Sequence, residues 1–161
     1  MLFIRSNVGA QSEGIEGANY ARNAIYAEAI GISGWGSINY ERKLFIKSNQ
    51  QFQGRIGLST LNLRDFTNKL NPDLIVPFAL NWLYGKNHNI EIGVGQTISN
   101  TVSANSTGDT ERGFMLSANF NIGYRYQKPT GGLIIRAGYT PIIEFYNNFL
   151  HWGGVSIGYA F

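Results

Sequence analysis

Apolar and polar residues alternate with a period of two along most of the chain between Asn23 and Phe161. This period puts successive side chains on opposite faces of a strand, whereas a helix repeats every 3.6 residues. The longest clean run lies at 113–126, where apolar residues occupy the even positions. With turn-forming residues as boundaries, the pattern predicts eight strands, at about Asn23–Gly31, Gly36–Leu44, Gln50–Thr60, Leu74–Tyr84, Asn89–Ile98, Gly113–Tyr126, Gly132–Thr140 and Trp152–Phe161.

Apart from the link between the first two strands, the connections between these segments alternate in length. The link Gly31–Gly34 is tight; short polar turns are expected at Leu44–Gln50, Gly85–His88 and Gln127–Gly131, and longer loops at Thr60–Asp73, Ser99–Arg112 and Pro141–Leu150. Short turns at one end and long loops at the other are typical of bacterial outer-membrane barrels, whose even strand number brings both termini to the short-turn end. The fourth segment is less regular, because Pro77 lacks the N–H that a ladder needs, so we expect regular pairing to begin after it.

Composition decides which face of the strands points outward. Charged residues make up only 14% of the chain, against about 25% in ordinary soluble domains. In a soluble barrel such as a lipocalin the face opposite the apolar one would be charged and exposed to water, but here it is mainly Gly, Ser, Asn and Gln. Small side chains suit the narrow interior of an eight-stranded barrel, so the apolar face is expected to meet lipid.

Aromatic residues occur near the ends of the predicted strands, where interfacial girdles form in membrane barrels. Those expected near the short-turn end are Trp82, Tyr84, Tyr124, Tyr126, Tyr159 and Phe161, and those near the other end are Trp35, Phe114, Tyr139 and Trp152. No apolar run approaches the roughly 20 residues of a membrane helix. The predicted fold class is therefore all-β: an eight-stranded antiparallel up-and-down transmembrane β-barrel over residues 23–161.

The first 22 residues differ from the rest of the chain. Val8-Gly9-Ala10 resembles a small-residue cleavage site after a short apolar stretch that carries Arg5. We interpret residues 1–22 as the remnant of a secretion signal followed by a flexible segment, with a disordered leader as the alternative.

Several sequence stretches resemble known outer-membrane proteins. The last strand, Val155-Ser156-Ile157-Gly158-Tyr159-Ala160-Phe161, resembles the C-terminal signal that barrel-assembly machinery reads, with Tyr159 and Phe161 at its characteristic positions. The stretches NAIYAEA from Asn23, SINYER from Ser37, PFALNWLYGKNHNIEIGVG from Pro77, IGYRYQ from Ile122 and Tyr139-Thr140-Pro141 resemble small, largely uncharacterised eight-stranded barrels of Bacteroidota. The resemblance implies a porin-like wall in the outer membrane of a Gram-negative bacterium, surrounded by lipid and lipopolysaccharide, and it transfers no catalytic residue.

Six charged residues fall on the inward face by parity. They are Glu28, Glu41, Glu91, Arg55, Arg125 and Arg136, three of each sign. Charges in a narrow interior of low dielectric constant must be paired. We interpret the six as a structural ion-pair network that fills the lumen; the alternative is a lining that makes a narrow pore selective.

His151 is the weak candidate for catalysis, because lipid A-modifying enzymes place a histidine at the outer rim of such barrels. That chemistry needs a nucleophile and an orienting acid within hydrogen-bond reach. Ser103, Ser106 and Glu144 lie on neighbouring loops, but no spacing links them to His151. The chain has no cysteine and two distant histidines, so no metal site and no cofactor are predicted; nor does a basic cluster point to nucleic acid.

The connection Pro141–Leu150 is unusually apolar. Its Ile143, Phe145, Tyr146 and Phe149 predict a contact surface, unless the strands extend and pair there. Arg64, Lys69 and Arg112 could meet lipopolysaccharide phosphates, although Asp65, Asp73, Asp109 and Glu111 lie nearby and oppose this. The function expected from sequence is that of a structural or interaction protein, such as an accessory subunit of an envelope complex, and not that of an enzyme. A narrow channel and a lipid A-modifying enzyme are the alternatives.

Overall fold

A computed structural model describes residues 20–31, 34–60, 62–65, 67–104, 110–144 and 148–161. Its strands are β1 (Asn23–Gly31), β2 (Gly34–Lys47), β3 (Gln50–Ser59), β4 (Leu74–Gly85), β5 (His88–Ala104), β6 (Thr110–Gln127), β7 (Gly132–Tyr139), β8 (Ile142–Glu144), β9 (Asn148–Leu150) and β10 (Gly153–Ala160). In these residues no helix is long and apolar enough to span a membrane.

The wall closes on itself. Each strand from β1 to β6 pairs antiparallel with the next, β7 pairs with β10, and β10 pairs back with β1. Backbone bonds between Asn23 and Phe161, at 2.9 and 2.8 Å, extend the closing ladder to the end of the chain. The prediction of an eight-stranded antiparallel up-and-down transmembrane barrel is confirmed.

The strands are staggered as a closed barrel requires. Ile25 pairs with Tyr159 of β10. Followed the other way round the wall, the row of paired residues runs from Ile25 through Tyr40, Ile56, Phe78, Gln96, Ala118 and Ile143 to Phe149. After one circuit of the wall the row returns to the last hairpin at Phe149, ten residues before Tyr159. The strands therefore tilt strongly relative to the barrel axis.

Two of the three loops predicted to be long are largely strand. β5 and β6 remain paired out to Ala104 and Thr110, well beyond the predicted ends at Ile98 and Gly113. β8 and β9 continue the register of β7 and β10, with a break near Pro141. The connection Pro141–Leu150 is thus mostly an extension of the last hairpin, which was the alternative to an irregular loop.

The connection between β3 and β4 also folds back on itself. Arg64 and Leu70 form an isolated antiparallel bridge, and the Asp65 N–H donates to the Lys69 carbonyl oxygen at 3.0 Å. The connections β3–β4, β5–β6 and β8–β9 lie at one end of the barrel, which we call the long-hairpin end. The opposite end, with the short turns, is the short-turn end.

Pro77 interrupts pairing on one side only. β4 pairs with β5 continuously from Leu74 to Gly85, including Pro77 with Thr97. On the β3 side the pairs jump from Ile56–Phe78 to Ser59–Ile75. The expectation that pairing begins after Pro77 is wrong for the β5 ladder, because the missing N–H affects one neighbour only.

A small apolar cluster of Ala21, Ala24, Ile134 and Ala160 lies at the short-turn end. Ala21 donates its N–H to the Pro129 carbonyl oxygen at 3.0 Å, and the Arg22 carbonyl oxygen accepts from Lys43 at 2.8 Å. Residues 21 and 22 are therefore held against the barrel, although the sequence placed them in the flexible segment; residues 1–19 lie outside the described part of the chain.

The two faces of the wall divide as the alternation predicts. Ile38, Leu58 and Leu80 are among the exposed apolar residues, whereas Asn39, Gln53 and Arg125 are fully buried. In β2 the alternation breaks at a bulge between Lys43 and Phe45, so Leu44 and Phe45 both face outward.

Candidate functional site

The six inward charges form one continuous chain of alternating sign. Arg55 contacts Glu28 at 2.6 Å, and Glu28 also contacts Arg136 at 3.4 Å. Arg136 contacts Glu91. Arg125 then joins Glu91 at 3.3 Å to Glu41 at 2.5 Å. Because Glu41 and Arg55 are cross-strand partners, this ion-pair chain runs almost completely round the lumen.

Neutral side chains complete the bonding of the carboxylates. The Asn121 side chain donates to Glu91 at 2.6 Å, Asn81 donates to Glu41 at 3.3 Å, and Ser156 donates to Glu28 at 3.2 Å. Arg55 Nε donates to the Asn39 side chain at 3.0 Å. Such polar satisfaction is what allows charges to remain buried.

Tyr26 lies at the centre of the ion-pair chain and is an interior residue that the sequence analysis did not single out. Its ring faces the guanidinium carbons of Arg136 at 4.8 Å, Arg55 at 5.4 Å and Arg125 at 6.0 Å. These distances are in the range of cation–π attraction. Tyr26 shares the parity of Glu28, and this parity is the signal that could have placed it inside.

Lys43 corrects the expected charge balance. It is a fourth inward cation beside three inward glutamates, and its Nζ has no hydrogen-bond partner among the described residues. Gln53, Asn89 and Gln127, buried towards the same short-turn end, each leave an acceptor oxygen without a partner in that part of the chain. Lys43 shares the parity of Glu41, so alternation alone could have found it.

Among the described residues, a small interior cavity of about 10 Å³ lies beside Glu28, Glu91 and Arg136. That volume holds about one water molecule. Packed in this way, the ion-pair chain can brace the wall, and the cavity beside it is too small for a substrate.

The long hairpins are tied to each other by Asp73 and Arg112. Asp73 is buried and accepts from the Val102 N–H at 2.8 Å and from the Asn62 side chain at 3.2 Å. Arg112 donates to Asn100 at 2.8 Å, to Asn71, and to the Pro72 carbonyl oxygen at 3.4 Å. Arg112, a candidate for phosphate binding by sequence, is thus engaged in joining β6 to the β3–β4 connection.

Asp65 organises the tip of the β3–β4 connection. Its Oδ1 accepts from the Thr67 hydroxyl at 2.6 Å, the Thr67 N–H at 2.9 Å and the Lys69 N–H at 3.1 Å. The hydrogen bond from the Thr67 side chain is the largest of the effects that lower the pKa of the Asp65 carboxyl below its ordinary value. Arg64 and Lys69 beside it are exposed.

Both histidines contact tyrosines on the outer face of the wall. His151 Nδ1 lies 2.6 Å from the Tyr139 hydroxyl, and its ring meets Phe149 edge-on at 4.9 Å. His88 Nδ1 lies 2.6 Å from the Tyr124 hydroxyl. Of the groups considered as partners for His151, Ser106 and the side chains of Ser103 and Glu144 lie outside the described part of the protein. Among the residues that are described, no three metal-ligating side chains cluster.

Of the four apolar residues proposed as a contact surface, two can be placed. Ile143 and Phe149 are cross-strand partners in β8 and β9 and are exposed, while Phe145 and Tyr146 lie outside the described residues. Phe114 and Met115 of β6 are also exposed near this end.

A closed wall with an apolar outer face and a charge-paired interior defines a small transmembrane β-barrel. Solved structures share this fold. The N-terminal β-barrel domain of Pseudomonas aeruginosa OprF matches with a TM-score of 0.59 at 13% identity, covering 91% of this chain and 100% of that domain. Ail, the attachment invasion locus protein of Yersinia pestis, matches with a TM-score of 0.55 at 11% identity, covering 86% of this chain and 94% of Ail, in a complex with the heparin analogue sucrose octasulfate.

A second structure of Ail, described as an outer membrane protein in a phospholipid bilayer nanodisc, matches with a TM-score of 0.53 at 10% identity and covers 88% of this chain and 99% of Ail. No family model and no curated protein matches the chain. At these identities the similarity concerns the fold.

Proposed function

We propose that this protein is an outer-membrane barrel of a Gram-negative bacterium that acts as a structural or interaction protein through its long hairpins, in the manner of an accessory subunit of an envelope complex. The observation that carries the proposal is the packed ion-pair chain of the lumen. A ligand inside would have to displace a partner of a buried charge, and leaving such a charge unpaired costs several kcal/mol. Binding at the hairpins carries no such penalty.

The hairpin surface has features of a binding site. Phe114 is 71% exposed, Phe149 53% and Ile143 37%, on strands that continue the rigid wall. Aromatic side chains on a rigid scaffold often supply most of the energy of an interface. Phe145 and Tyr146 stand between β8 and β9 in the sequence, and we include them in the proposed surface.

The two alternatives have less support. A channel would need an open lumen, and the cavity beside Glu28, Glu91 and Arg136 has the volume of about one water molecule. A lipid A-modifying enzyme would need His151 to activate a nucleophile, but the described partner of its Nδ1 is the Tyr139 hydroxyl. A phenol is a poor orienting group compared with a carboxylate.

The proposed environment supplies the remaining partners. Outer-membrane lipid and lipopolysaccharide would cover the apolar wall, and Tyr159 and Phe161 of the closing strand would be read by the barrel-assembly machinery. Both outward rings are exposed, which is consistent with such a contact.

Affinity purification from native outer membrane tests the proposal. Wild type should retain a stoichiometric partner, and a Phe114→Ser/Phe149→Ser double variant should lose it while still migrating as a folded barrel. A Leu63→Ser/Leu70→Ser double variant, altered on the β3–β4 connection, serves as the matched control and should keep the partner. If the Phe114/Phe149 variant keeps the partner and a folded lumen variant loses it, the channel alternative takes first place.

A further inference from the structure

The outward face of β5 carries two amide side chains with different surroundings. Asn100 accepts a hydrogen bond from Arg112 near the long-hairpin end. Gln96 is exposed, and among the described residues it has no side-chain hydrogen-bond partner. Val94 and Ile98 flank it along the strand, and its cross-strand partners are Phe78 and Ala118. An amide in such surroundings faces hydrocarbon, where its unmade hydrogen bonds are costly.

Gln96 lies in the wall of an apolar groove on the lipid-facing side. The groove has a volume of about 670 Å³. Two adjacent cross-strand rows line it: one contains Phe78, Gln96 and Ala118, and the other contains Gly54, Leu80 and Phe120. The volume falls within the roughly 300–1,000 Å³ typical of small-molecule sites. Gly54 and Ala118 leave the space that larger side chains would fill.

The position of Gln96 along β5 determines how deep its amide lies in the membrane. It lies four residues from Asn100, or roughly 13 Å along β5, and less in depth because the strands tilt. The long side chain can also reach towards the interface, as amphipathic side chains do. Because Asn100 pairs with Phe114 of the predicted outer aromatic girdle, the extended Gln96 amide is expected below the headgroups, in the outer part of the acyl-chain region.

We propose that this groove holds one acyl chain of an outer-leaflet lipid that carries a hydroxyl group near its headgroup, with the Gln96 amide as the hydrogen-bond partner of that hydroxyl. A concave apolar surface fits a flexible chain better than it fits a second, equally concave copy of this barrel. An unsubstituted chain would fill the groove but leave the amide unpaired. The inference rests on the membrane placement proposed above and names the class of lipid that the wall selects.

The test compares two phospholipids that differ only in a 3-hydroxyl on one acyl chain. Wild-type protein is equilibrated with an equal mixture of the two in micelles, and native mass spectrometry measures the ratio of bound lipids. One hydrogen bond between neighbours in a membrane corresponds to a preference of about three- to tenfold for the hydroxylated lipid. Gln96→Leu should bring that ratio to about one without lowering total lipid binding.

Two alanine variants separate the groove from the rest of the wall. Ala118→Phe should fill the groove and lower the amount of retained hydroxylated lipid. Ala137→Phe changes an outward alanine of β7 that does not line the groove, and it should behave as wild type. All variants are first checked for folded migration on gels.

Three outcomes would overturn the inference. One is an unchanged lipid ratio in Gln96→Leu. Another is equal loss of lipid in both alanine variants. The third is cross-linking that finds a wild-type dimer which Gln96→Leu abolishes, because a second copy would then satisfy the amide. Failure of the membrane placement itself is distinguishable, since no variant, including Ala137→Phe, would then bind either lipid.

Discussion

At the scale of single residues, the interior depends on charges that share partners. Glu91 lies in the middle of the ion-pair chain, between Arg125 and Arg136, whereas Glu41 lies at its end, with Arg125 as its one ion-pair partner among the described residues. The two glutamates are almost equally buried. They therefore form a matched pair in which the number of arginine partners differs.

We expect Glu91→Gln to destabilise the barrel more than Glu41→Gln does. Removal of the Glu91 charge leaves Arg136 with Glu28 and Arg125 with Glu41, and breaking a buried pair costs about 3–5 kcal/mol. Urea unfolding in detergent micelles measures the free energy of unfolding of each variant. An equal or smaller loss for Glu91→Gln would show that the charges act independently.

The Asp65 turn predicts a pH dependence. The lowered pKa of Asp65 means that its carboxylate stabilises the turn at pH above the ordinary carboxyl pKa, and that this contribution is lost only as pH falls through the lower, folded-state value. The protection factors of the Thr67 and Lys69 amides, which correct hydrogen exchange for its intrinsic pH dependence, should therefore persist at pH 4 and fall only in stronger acid. Asp65→Ala should remove the protection at every pH, and loss of protection already at pH 5 in wild type would contradict the assignment.

At the scale of elements, the long hairpins behave as extensions of the wall. Asp73 is bonded to Val102 and Asn62, and Arg112 to Asn71 and Asn100, so the β3–β4 connection is attached to the β5–β6 hairpin. A connection that looks loop-like in sequence is thereby held in place by its neighbour.

Arg112→Ala should release this attachment. Limited proteolysis should then cut the chain faster between Thr60 and Asp73, because the hydrogen bonds that Arg112 makes to Asn71 and Pro72 are lost. Arg64→Ala is the control, since the described partner of the Arg64 side chain is Asn68, within the connection itself. Faster cleavage in both variants, or in neither, would argue against attachment through Arg112.

The closing strand is the second element with a testable role. Backbone bonds join Phe161 to Asn23 in both directions, so deletion of Phe161 removes the last pair of the seam as well as an outward aromatic ring. We expect the deletion variant to remain unassembled and sensitive to protease, with loss of heat-modifiable migration on gels. Phe161→Ala keeps the backbone bonds and tests the ring alone; normal assembly of the deletion variant would remove the proposed role of this end.

At the scale of the whole molecule, the barrel should not conduct ions. The ion-pair chain runs almost completely round the lumen, and the small apolar cluster at the short-turn end lies beneath it. Planar-bilayer recordings of pure protein should show no stable, ion-selective steps. If steps occur, and Arg55→Ala or Arg136→Ala changes their selectivity, the lumen is a pore and the proposed function is wrong.

The sequence by itself determined the strands and their two faces. A period of two is a local property of each strand. Because the outer face must be apolar to meet lipid while the inner face can be polar, the two faces of each strand could be assigned without the other strands. For this reason parity alone assigns Glu28, Glu91 and Arg136 to the interior. The same reasoning reaches Lys43 and Tyr26 in principle, since both share the parity of inward glutamates.

Which inward side chains contact one another was decided only by the tertiary structure. Which glutamate pairs with which arginine depends on the stagger between strands, and alternation within one strand carries no information about stagger. The extension of β5, β6, β8 and β9 was hidden because strands beyond the apolar band no longer need to alternate. The groove at Gln96 likewise arises from rows of side chains on several strands, so it exists only once the wall is assembled.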